Sequence, residues 1–201
     1  MKKMAAWEEV VNFHGHSCLG LAMGYRVAEA ALKELQSNRD IDEEIVTIVE
    51  NDNCSVDAIQ YITGCTMGKG NLIFHDYGKP AYTFIRRSDK KAVRVIAHGP
   101  DEDKFPELAK LREKVFSGKA DQKEEERFSE LSAEALRQYL EDPLDNVVTI
   151  KETAAEMPEK ARIFNSVICS ECGEKVMEPR ARVKNGQPAC IPCAGEYDSR
   201  V

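Results

Sequence analysis

The clearest helical periodicity in the chain begins at Cys18. Apolar and aromatic side chains recur after it with spacings of three and four residues. They are Leu21, Tyr25, Ala28, Leu32 and Leu35. This spacing is typical of an amphipathic helix and predicts one over residues 18–36. Gly20 and Gly24 lower its helix propensity, so we expect another backbone or a ligand to pack closely against its first half.

Strand patterns follow this helix. Residues 45–50, with the sequence IVTIVE, are rich in β-branched side chains and lie between polar turns, which predicts a buried strand. Ser55 is a suitable cap for a short helix that ends at Gly64. The segment after this helix carries Cys65 and contains too much glycine for regular structure, so we expect a loop.

The rest of the first three quarters of the chain alternates between strand and helix patterns. Three strands are predicted next, and the turns between them favour an antiparallel meander. They cover residues 72–78, 81–87 and 92–98. Two amphipathic helices and a last strand follow, at residues 106–118, 124–140 and 146–153. Helices beside a mainly antiparallel sheet indicate an α+β fold.

A change of composition divides the chain. From residue 166 onward the sequence is rich in Cys, Gly and Pro, and a polar segment precedes it. We therefore expect an α+β core domain at residues 1–153, a linker at residues 154–165, and a small four-cysteine module at residues 166–201.

Composition and charge exclude several classes of protein. Of the 201 residues, 42% are hydrophobic and 31% are charged, as in ordinary globular proteins. The formal net charge of −7 argues against a protein that mainly binds nucleic acid or anionic lipid. No apolar run reaches the length of about 18 residues that a membrane span needs. Glu8 and Glu9 stand where a secretory signal needs apolar residues, so we expect a cytoplasmic protein.

Four of the seven cysteines form two CxxC pairs near the end of the chain. These are Cys169, Cys172, Cys190 and Cys193. The pattern is typical of a structural zinc site with four thiolate ligands and no open position. Two redox dithiols are the alternative, but a segment too small for its own core is better stabilised by a metal. Arg180, Arg182 and Lys184 fit a solvated strand better than a nucleic-acid contact.

A second group of metal-ligand residue types precedes the first predicted helix. His14, His16 and Cys18 alternate in the segment FHGHSCLG. If this segment is extended, the three side chains point the same way and suit a metal such as zinc, with a coordination position left open. In the alternative interpretation, the two histidines only bond backbone groups beside a buried cysteine.

Two further cysteines are candidates to complete this site. Cys54 and Cys65 both lie next to an end of the short helix, and Cys54 is the better placed because it directly follows the buried strand. For either residue taken singly, the spacing favours a small buried side chain over a metal ligand. Asp57 and Gln60, on the short helix, would orient the metal ligands or face the solvent.

The glycine-rich loop, GCTMGKGN, lacks the residue order of a phosphate-binding P-loop. Its backbone amides and Lys69 could hold an anionic group or a small-molecule substrate near Cys65. A plain turn is the alternative interpretation.

The motifs FHGHSCLGLAMGYR and NDNCSVDAIQYITGCTMGKGNLIFHDYGKPAYTF resemble the FmdE family of formylmethanofuran dehydrogenase proteins. The resemblance implies an α+β core with a metal or active-site cavity and an optional C-terminal treble-clef zinc finger. The cavity residues that it implies are His14, His16, Cys18, Cys54, Asp57, Gln60, Cys65, Thr66, Lys69, Asn71, Asp76 and Lys79. One departure is Leu19, which stands where the family usually has proline.

The resemblance also implies roles and partners. Cys18, His16 and Lys69 are the candidate catalytic residues. The candidate cofactor-binding residues are Cys65, Thr66, Asn71, Asp57 and Gln60. In this scheme His16, Cys18 and either Cys54 or Cys65 hold a second metal, expected to be zinc, and His14 adds a ligand or a supporting contact.

The leading hypothesis is therefore a metal-binding accessory protein of a molybdenum- or tungsten-dependent one-carbon oxidoreductase or of related metal metabolism, and the family implies a homodimer. Two other hypotheses remain. One is a stand-alone enzyme that uses Cys18 as nucleophile and His16 as base. The other is a partner-binding module without catalysis.

Overall fold

The computed structural model describes residues 4–101 and 103–195. The chain forms two compact units, Met1–Lys160 and Ala161–Val201. Their division falls inside the segment predicted as a linker. The domain boundaries derived from composition stay predictions.

The first unit combines six helices with a five-stranded sheet among its described residues. Its elements in chain order are α1 Trp7–His14, α2 Leu19–Glu34, β1 Ile45–Val49, α3 Ser55–Thr63, β2 Leu72–Phe74, β3 Ala81–Arg86, β4 Ala92–Ala97, α4 Pro106–Phe116, α5 Gln122–Glu141, α6 Leu144–Val147 and β5 Val148–Glu152. The strand order is β2-β1-β3-β4-β5. All pairs except β1–β2 are antiparallel, which confirms the predicted α+β class.

The predicted meander is wrong for β2. This strand pairs with β1 in parallel, with Thr47 opposite Leu72 and Val49 opposite Phe74. Helix α3 lies between the two strands in sequence and returns the chain to the end of the sheet where β1 began. A crossover of this kind makes the next strand parallel, whereas a short turn would make it antiparallel.

Helix α2 is the central element of the core. Its residues Leu21, Ala22, Val27 and Ala28 are fully buried and belong to one cluster with the sheet residues Ile45, Val49, Tyr82, Phe84 and Val95. The expected close packing of its first half is confirmed at Gly24. A Cβ atom there would lie 2.1 Å from the carbonyl oxygen of Ser55, so only glycine lets α3 approach this closely.

The start of α3 differs from the prediction. Cys54 occupies the N-cap position and Ser55 is the first helical residue, so the prediction of Ser55 as the cap is wrong. The side-chain oxygen of Asn53 accepts the Ser55 amide hydrogen at 2.9 Å instead. The Ser55 hydroxyl is therefore available to Tyr82 in β3, whose hydroxyl lies 2.6 Å away.

The second unit is a small module of hairpins. It contains β6 Ser166–Ile168, β7 Lys175–Met177, a 3₁₀ turn at Glu178–Arg180, β8 Arg182–Lys184, β9 Gln187–Ala189 and α7 Ile191–Ala194. Strand β6 pairs with β7 and β8 pairs with β9, both antiparallel. Residues 196–201, the end of the predicted module, lie outside the described residues. A treble-clef arrangement stays a prediction.

No helix among the described residues is long and apolar enough to cross a membrane.

Candidate metal centre

The segment around the first histidines is not extended. His14 is the last residue of α1, and Gly15 ends that helix with a φ of 97°, a left-handed conformation that glycine adopts readily. The predicted strand from His14 to Cys18 is therefore wrong. A signal for α1 was present, because Trp7, Val10, Val11 and His14 recur at helical spacing.

Three side chains from three helix ends converge in the first unit. The ligand atoms of His14, Cys18 and Cys54 all lie within 4.8 Å of one another. Nε2 of His14 lies 3.9 Å from Sγ of Cys18. All three residues are partly buried. We call this group the core triad.

Helix α2 and helix α3 place the two thiols of the core triad. Cys18 caps the start of α2, and its Sγ accepts a hydrogen bond from the Leu21 amide at 3.4 Å. Cys54 directly precedes α3, but its side chain makes no capping hydrogen bond. Gly20 makes the approach possible, because a Cβ there would lie 3.3 Å from Cβ of Cys54.

The Cys18 thiol has a raised pKa. Burial is the main cause, and the neighbouring Cys54 thiol adds to it, while the Leu21 amide acts in the opposite direction. Without a metal, Cys18 is therefore a protonated thiol at neutral pH. A thiol of this kind is a weaker nucleophile than a typical catalytic cysteine.

Helix α3 also orients the histidine of the core triad. Nδ1 of His14 lies 2.7 Å from a carboxylate oxygen of Asp57, and the other oxygen of Asp57 accepts from Nε2 of Gln60 at 3.4 Å. A carboxylate only accepts, so Nδ1 carries a hydrogen, and in the neutral imidazole the Nε2 lone pair then faces the thiols. This is the carboxylate–histidine arrangement that supports metal ligands in many proteins. The supporting role of Asp57 and Gln60 toward a metal stays a prediction.

The donor set of the core triad fits zinc. Ligand atoms on a tetrahedral zinc ion are about 3.5–3.8 Å apart, given its usual bond lengths. The 3.9 Å between His14 and Cys18 is close to this spacing. Two thiolates and a neutral imidazole balance the charge of a divalent ion, and three protein ligands leave one position open.

His16 lies beside the core triad and not within it. Its ring is exposed and packs on the His14 ring with a centroid distance of 4.5 Å. The structure thus brings His14, rather than His16, next to Cys18.

Cys65 lies elsewhere, in the hydrophobic core. It is fully buried, its thiol donates to the carbonyl oxygen of Ile45 at 3.4 Å, and burial raises its pKa to about 11. Of the two cysteines considered for the site, the structure places Cys54 in the core triad.

The glycine-rich loop is stabilised by a polar network that does not include the core triad. Lys69 forms an ion pair with Asp40, whose side chain is fully buried. The amide group of Asn71 donates to Asp40 at 2.9 Å and accepts from the Thr66 backbone at 3.0 Å. In this arrangement Lys69, Thr66 and Asn71 hold the loop.

The remaining candidates from the family resemblance are on the surface. Asp76 and Lys79 are exposed, and the Lys79 ammonium lies 5.8 Å from the centre of the Tyr77 ring.

The four cysteines of the second unit also converge. The Sγ atoms of Cys169, Cys172, Cys190 and Cys193 all lie within 4.8 Å of one another, and those of Cys172 and Cys190 are 3.9 Å apart. Backbone amides of Cys172, Cys190 and Glu171 lower the pKa of Cys169 to about 6. The neighbouring thiols raise the pKa of Cys193 to about 12, so the amides favour the thiolate at Cys169 alone. Four thiols this close together form a closed site for a structural metal.

The fold and these two clusters define a metal-binding α+β protein with a C-terminal zinc finger. The family model described as "FmdE, Molybdenum formylmethanofuran dehydrogenase operon" matches residues 13–149. A second model, "Prokaryotic dksA/traR C4-type zinc finger", matches residues 162–198. The chain belongs to the FmdE family, which confirms the resemblance seen in the sequence.

Two known proteins are similar to this chain. A curated protein from Archaeoglobus fulgidus, described as "Probable S-adenosyl-L-methionine-binding protein", is 36% identical over 193 residues, which cover 92% of this chain and 51% of that protein. The chain thus spans about half the length of this relative. A crystal structure of an FmdE-like protein of tungsten formylmethanofuran dehydrogenase from Syntrophus aciditrophicus is 23% identical, with a TM-score of 0.61, and covers 94% of this chain and 89% of that one. This likeness supports the fold.

Proposed function

We propose that the core domain holds a second, accessible zinc ion on His14, Cys18 and Cys54, and that the protein serves a molybdenum- or tungsten-dependent one-carbon oxidoreductase as an accessory component. The observation that carries the metal site is the convergence of the three ligand atoms within 4.8 Å, with His14 oriented by Asp57.

The residues of the core triad have distinct tasks in this proposal. Cys18 and Cys54 lose their protons on binding and provide two thiolates. Asp57 holds His14 so that Nε2 is the ligand atom. Zinc bound in this way supplies a Lewis acid with an open position for water or a substrate oxygen. The exposed His16, whose ring packs on the His14 ring, is the candidate in this proposal for proton transfer at the site.

The accessory role rests on family membership. The matching family model is described by the operon of a molybdenum formylmethanofuran dehydrogenase, and the solved relative is named for a tungsten enzyme of the same kind. A homodimer belongs to the same proposal, as does a cytoplasmic location. Both follow from the expectations drawn from the sequence.

The metal site is tested by counting zinc atoms per chain in the purified full-length protein. We expect two equivalents in the wild type and one after His14→Ala, Cys18→Ser or Cys54→Ser. Cys65→Ser is the matched control because that thiol is buried outside the core triad. This variant should keep both zinc equivalents. The double variant Cys190→Ser with Cys193→Ser, which disrupts the finger, should also keep one zinc equivalent, held by the core triad. One equivalent in the wild type, lost with the finger variant, would refute the core site.

The accessory role is tested by affinity purification of the tagged chain from the cells that make it. We expect a molybdenum- or tungsten-containing oxidoreductase to copurify in constant proportion, identified by its peptides and its metal. Elution of the chain alone, as a zinc protein with two equivalents, would refute this part and favour a stand-alone metal enzyme.

The thiol-enzyme hypothesis is less well supported by the geometry. The imidazole next to Cys18 belongs to His14, and burial raises the pKa of the Cys18 thiol. A partner-binding module would predict no loss of zinc from any substitution in the core triad.

A further inference from the structure

Two of the three residues in the core triad are thiols that face each other. Cys18 and Cys54 are both free cysteines, both partly exposed, and their Sγ atoms lie within 4.8 Å. Gly20, two residues after Cys18, is so close to Cys54 that a Cβ on it would lie 4.0 Å from the Cys54 sulfur. The two chain segments therefore pass close to each other at this point, with little room for a side chain on Gly20.

The two sulfur atoms must move closer together before a covalent bond can form between them. A disulfide needs sulfur atoms about 2.05 Å apart and Cα atoms about 5.5–6 Å apart. Both residues lie at helix starts, so rotation about their side-chain bonds moves the sulfurs without breaking either helix. Cys65 has no comparable partner, because its thiol is buried and bonded to the Ile45 carbonyl.

The site also contains a proton acceptor. Nε2 of His14 lies 3.9 Å from the Cys18 sulfur, so the imidazole in its neutral form is within reach of the Cys18 thiol proton.

We infer that Cys18 and Cys54 form a reversible disulfide when the site is free of metal, so that the same pair acts either as two metal ligands or as an oxidised bridge. The metal half of this statement rests on the proposed function. The disulfide half does not, because it needs only the two thiols, and the imidazole only speeds their oxidation.

The oxidation balances with a peroxide as the oxidant. The Cys18 sulfur loses its proton and attacks one oxygen of hydrogen peroxide, the O–O bond breaks, and the hydroxide that leaves takes up that proton to become water. Cys18 is then a sulfenic acid. The Cys54 sulfur attacks the Cys18 sulfur, the S–O bond breaks, and the hydroxyl leaves as a second water with the Cys54 proton. Two thiols and one peroxide give one disulfide and two waters, and an external dithiol reverses the reaction by exchange.

The disulfide excludes the metal for a simple reason. It consumes two of the three protein ligands and leaves the His14 imidazole alone. A bound metal, in turn, occupies the sulfur lone pairs that would attack the peroxide, so metal and oxidation compete for the same pair.

The test uses the full-length chain with His14→Ala, which removes a core ligand and keeps the four cysteines of the finger. The reduced protein is treated with one equivalent of hydrogen peroxide and digested with trypsin without reduction. Cys18 lies in the tryptic peptide of residues 4–26 and Cys54 in that of residues 40–69. We expect the two peptides to be joined, with a mass lower by two hydrogen atoms than their sum, and to separate with dithiothreitol.

Two controls identify the bond. Adding Cys54→Ser should abolish the joined peptide, whereas adding Cys65→Ser, in the same tryptic peptide, should leave it unchanged. Sulfinic acids on Cys18 and Cys54 without a joined peptide would overturn the inference, as would unreacted thiols or a bond from Cys18 to the finger. Metal-free wild type should give the same product faster, because His14 accepts the proton.

The two proposals fail independently. Zinc-loaded wild type should form the bridge several-fold more slowly than metal-free wild type and should release its core zinc as the bridge forms. A bridge in a wild type that never binds core zinc would refute the proposed metal site and keep the redox pair. Core zinc with no bridge would refute the redox pair and keep the metal site.

Discussion

A carboxylate oxygen of Asp57 lies 2.7 Å from Nδ1 of His14, although 43 positions separate the two residues in the sequence. The contact joins the end of α1 to the first turn of α3 and decides which imidazole nitrogen faces Cys18. Because the side chain of His14 is only 10% exposed, the orientation depends on this partner more than on solvent.

Asp57→Asn should therefore weaken zinc binding at the core triad without removing a ligand. The amide still accepts a hydrogen bond but no longer supports the imidazole with a negative charge, and the loss of such partners lowers metal affinity about 10- to 100-fold. Competition with a chromogenic chelator measures the affinity. Asp52→Asn changes an exposed neighbour and is the control, because it should leave the zinc affinity unchanged. Equal affinities for the wild type and Asp57→Asn would show that the contact is only structural.

Gly24→Ala should destabilise the first unit because the new Cβ would meet the Ser55 carbonyl oxygen at 2.1 Å. Helices α2 and α3 must then separate, and overpacking of this kind costs about 1–3 kcal/mol. Urea unfolding followed by circular dichroism gives the free energy of unfolding. Gly68→Ala is the control, because nothing lies within 4 Å of its added Cβ. Since Gly20 and Cys54 lie at the same helix contact, Gly24→Ala should also weaken zinc binding.

Lys69→Gln separates the structural role of this lysine from the predicted role in anion binding. It leaves the fully buried Asp40 carboxylate without its cation, which costs about 3 kcal/mol for a pair that keeps some solvent access. The double variant Lys69→Gln with Asp40→Asn should recover part of the loss, because no buried charge is then unpaired. Unfolding curves of the wild type, both single variants and the double variant give the coupling energy. Unchanged stability in Lys69→Gln would favour the anion-binding role.

Glu50 should make the stability of the first unit depend on pH in the acid range. Its side chain is 8% exposed and forms an ion pair with Arg94, with one N–O distance of 2.8 Å, and this pair lowers its pKa below the usual 4.5. A lowered pKa in the folded state means that the stabilisation is complete above about pH 4.5 and is lost as the pH falls through the folded value.

Glu50→Gln removes this titration. The free energy of unfolding is measured from about pH 6 to about pH 3, the range in which Glu50 takes up its proton. It should fall less steeply in the variant than in the wild type. Glu152→Gln, an exposed residue at the end of β5, is the control and should follow the wild type. Parallel curves for Glu50→Gln and the wild type would show that Glu50 does not contribute to the pH dependence of stability.

The core helix α2 could be predicted well from the sequence. Its apolar stripe extends from Leu21 to Leu35, and the structure places the helix at Leu19–Glu34. Helix α1 was missed because the alternation of His14, His16 and Cys18 suggested a strand, whereas Gly15 breaks the periodicity between a helix end and a new helix start. The direction of β2 depends on where α3 returns the chain, and no local pattern contains that information.

The sequence by itself determined the zinc finger. Each CxxC pair brings two thiols together through a local turn, so spacing along the chain is nearly sufficient to define the site, and the C4-type family model agrees.

The core triad was decided by tertiary structure. Its ligands stand at the ends of α1, α2 and α3, and they meet only because Gly24 lets α2 and α3 pack backbone to backbone and because Asp57 turns His14 toward the thiols. The sequence alone shows which residues have side chains that can bind a metal. The packing of helices that are distant in sequence determines which of these side chains lie close enough to share one ion.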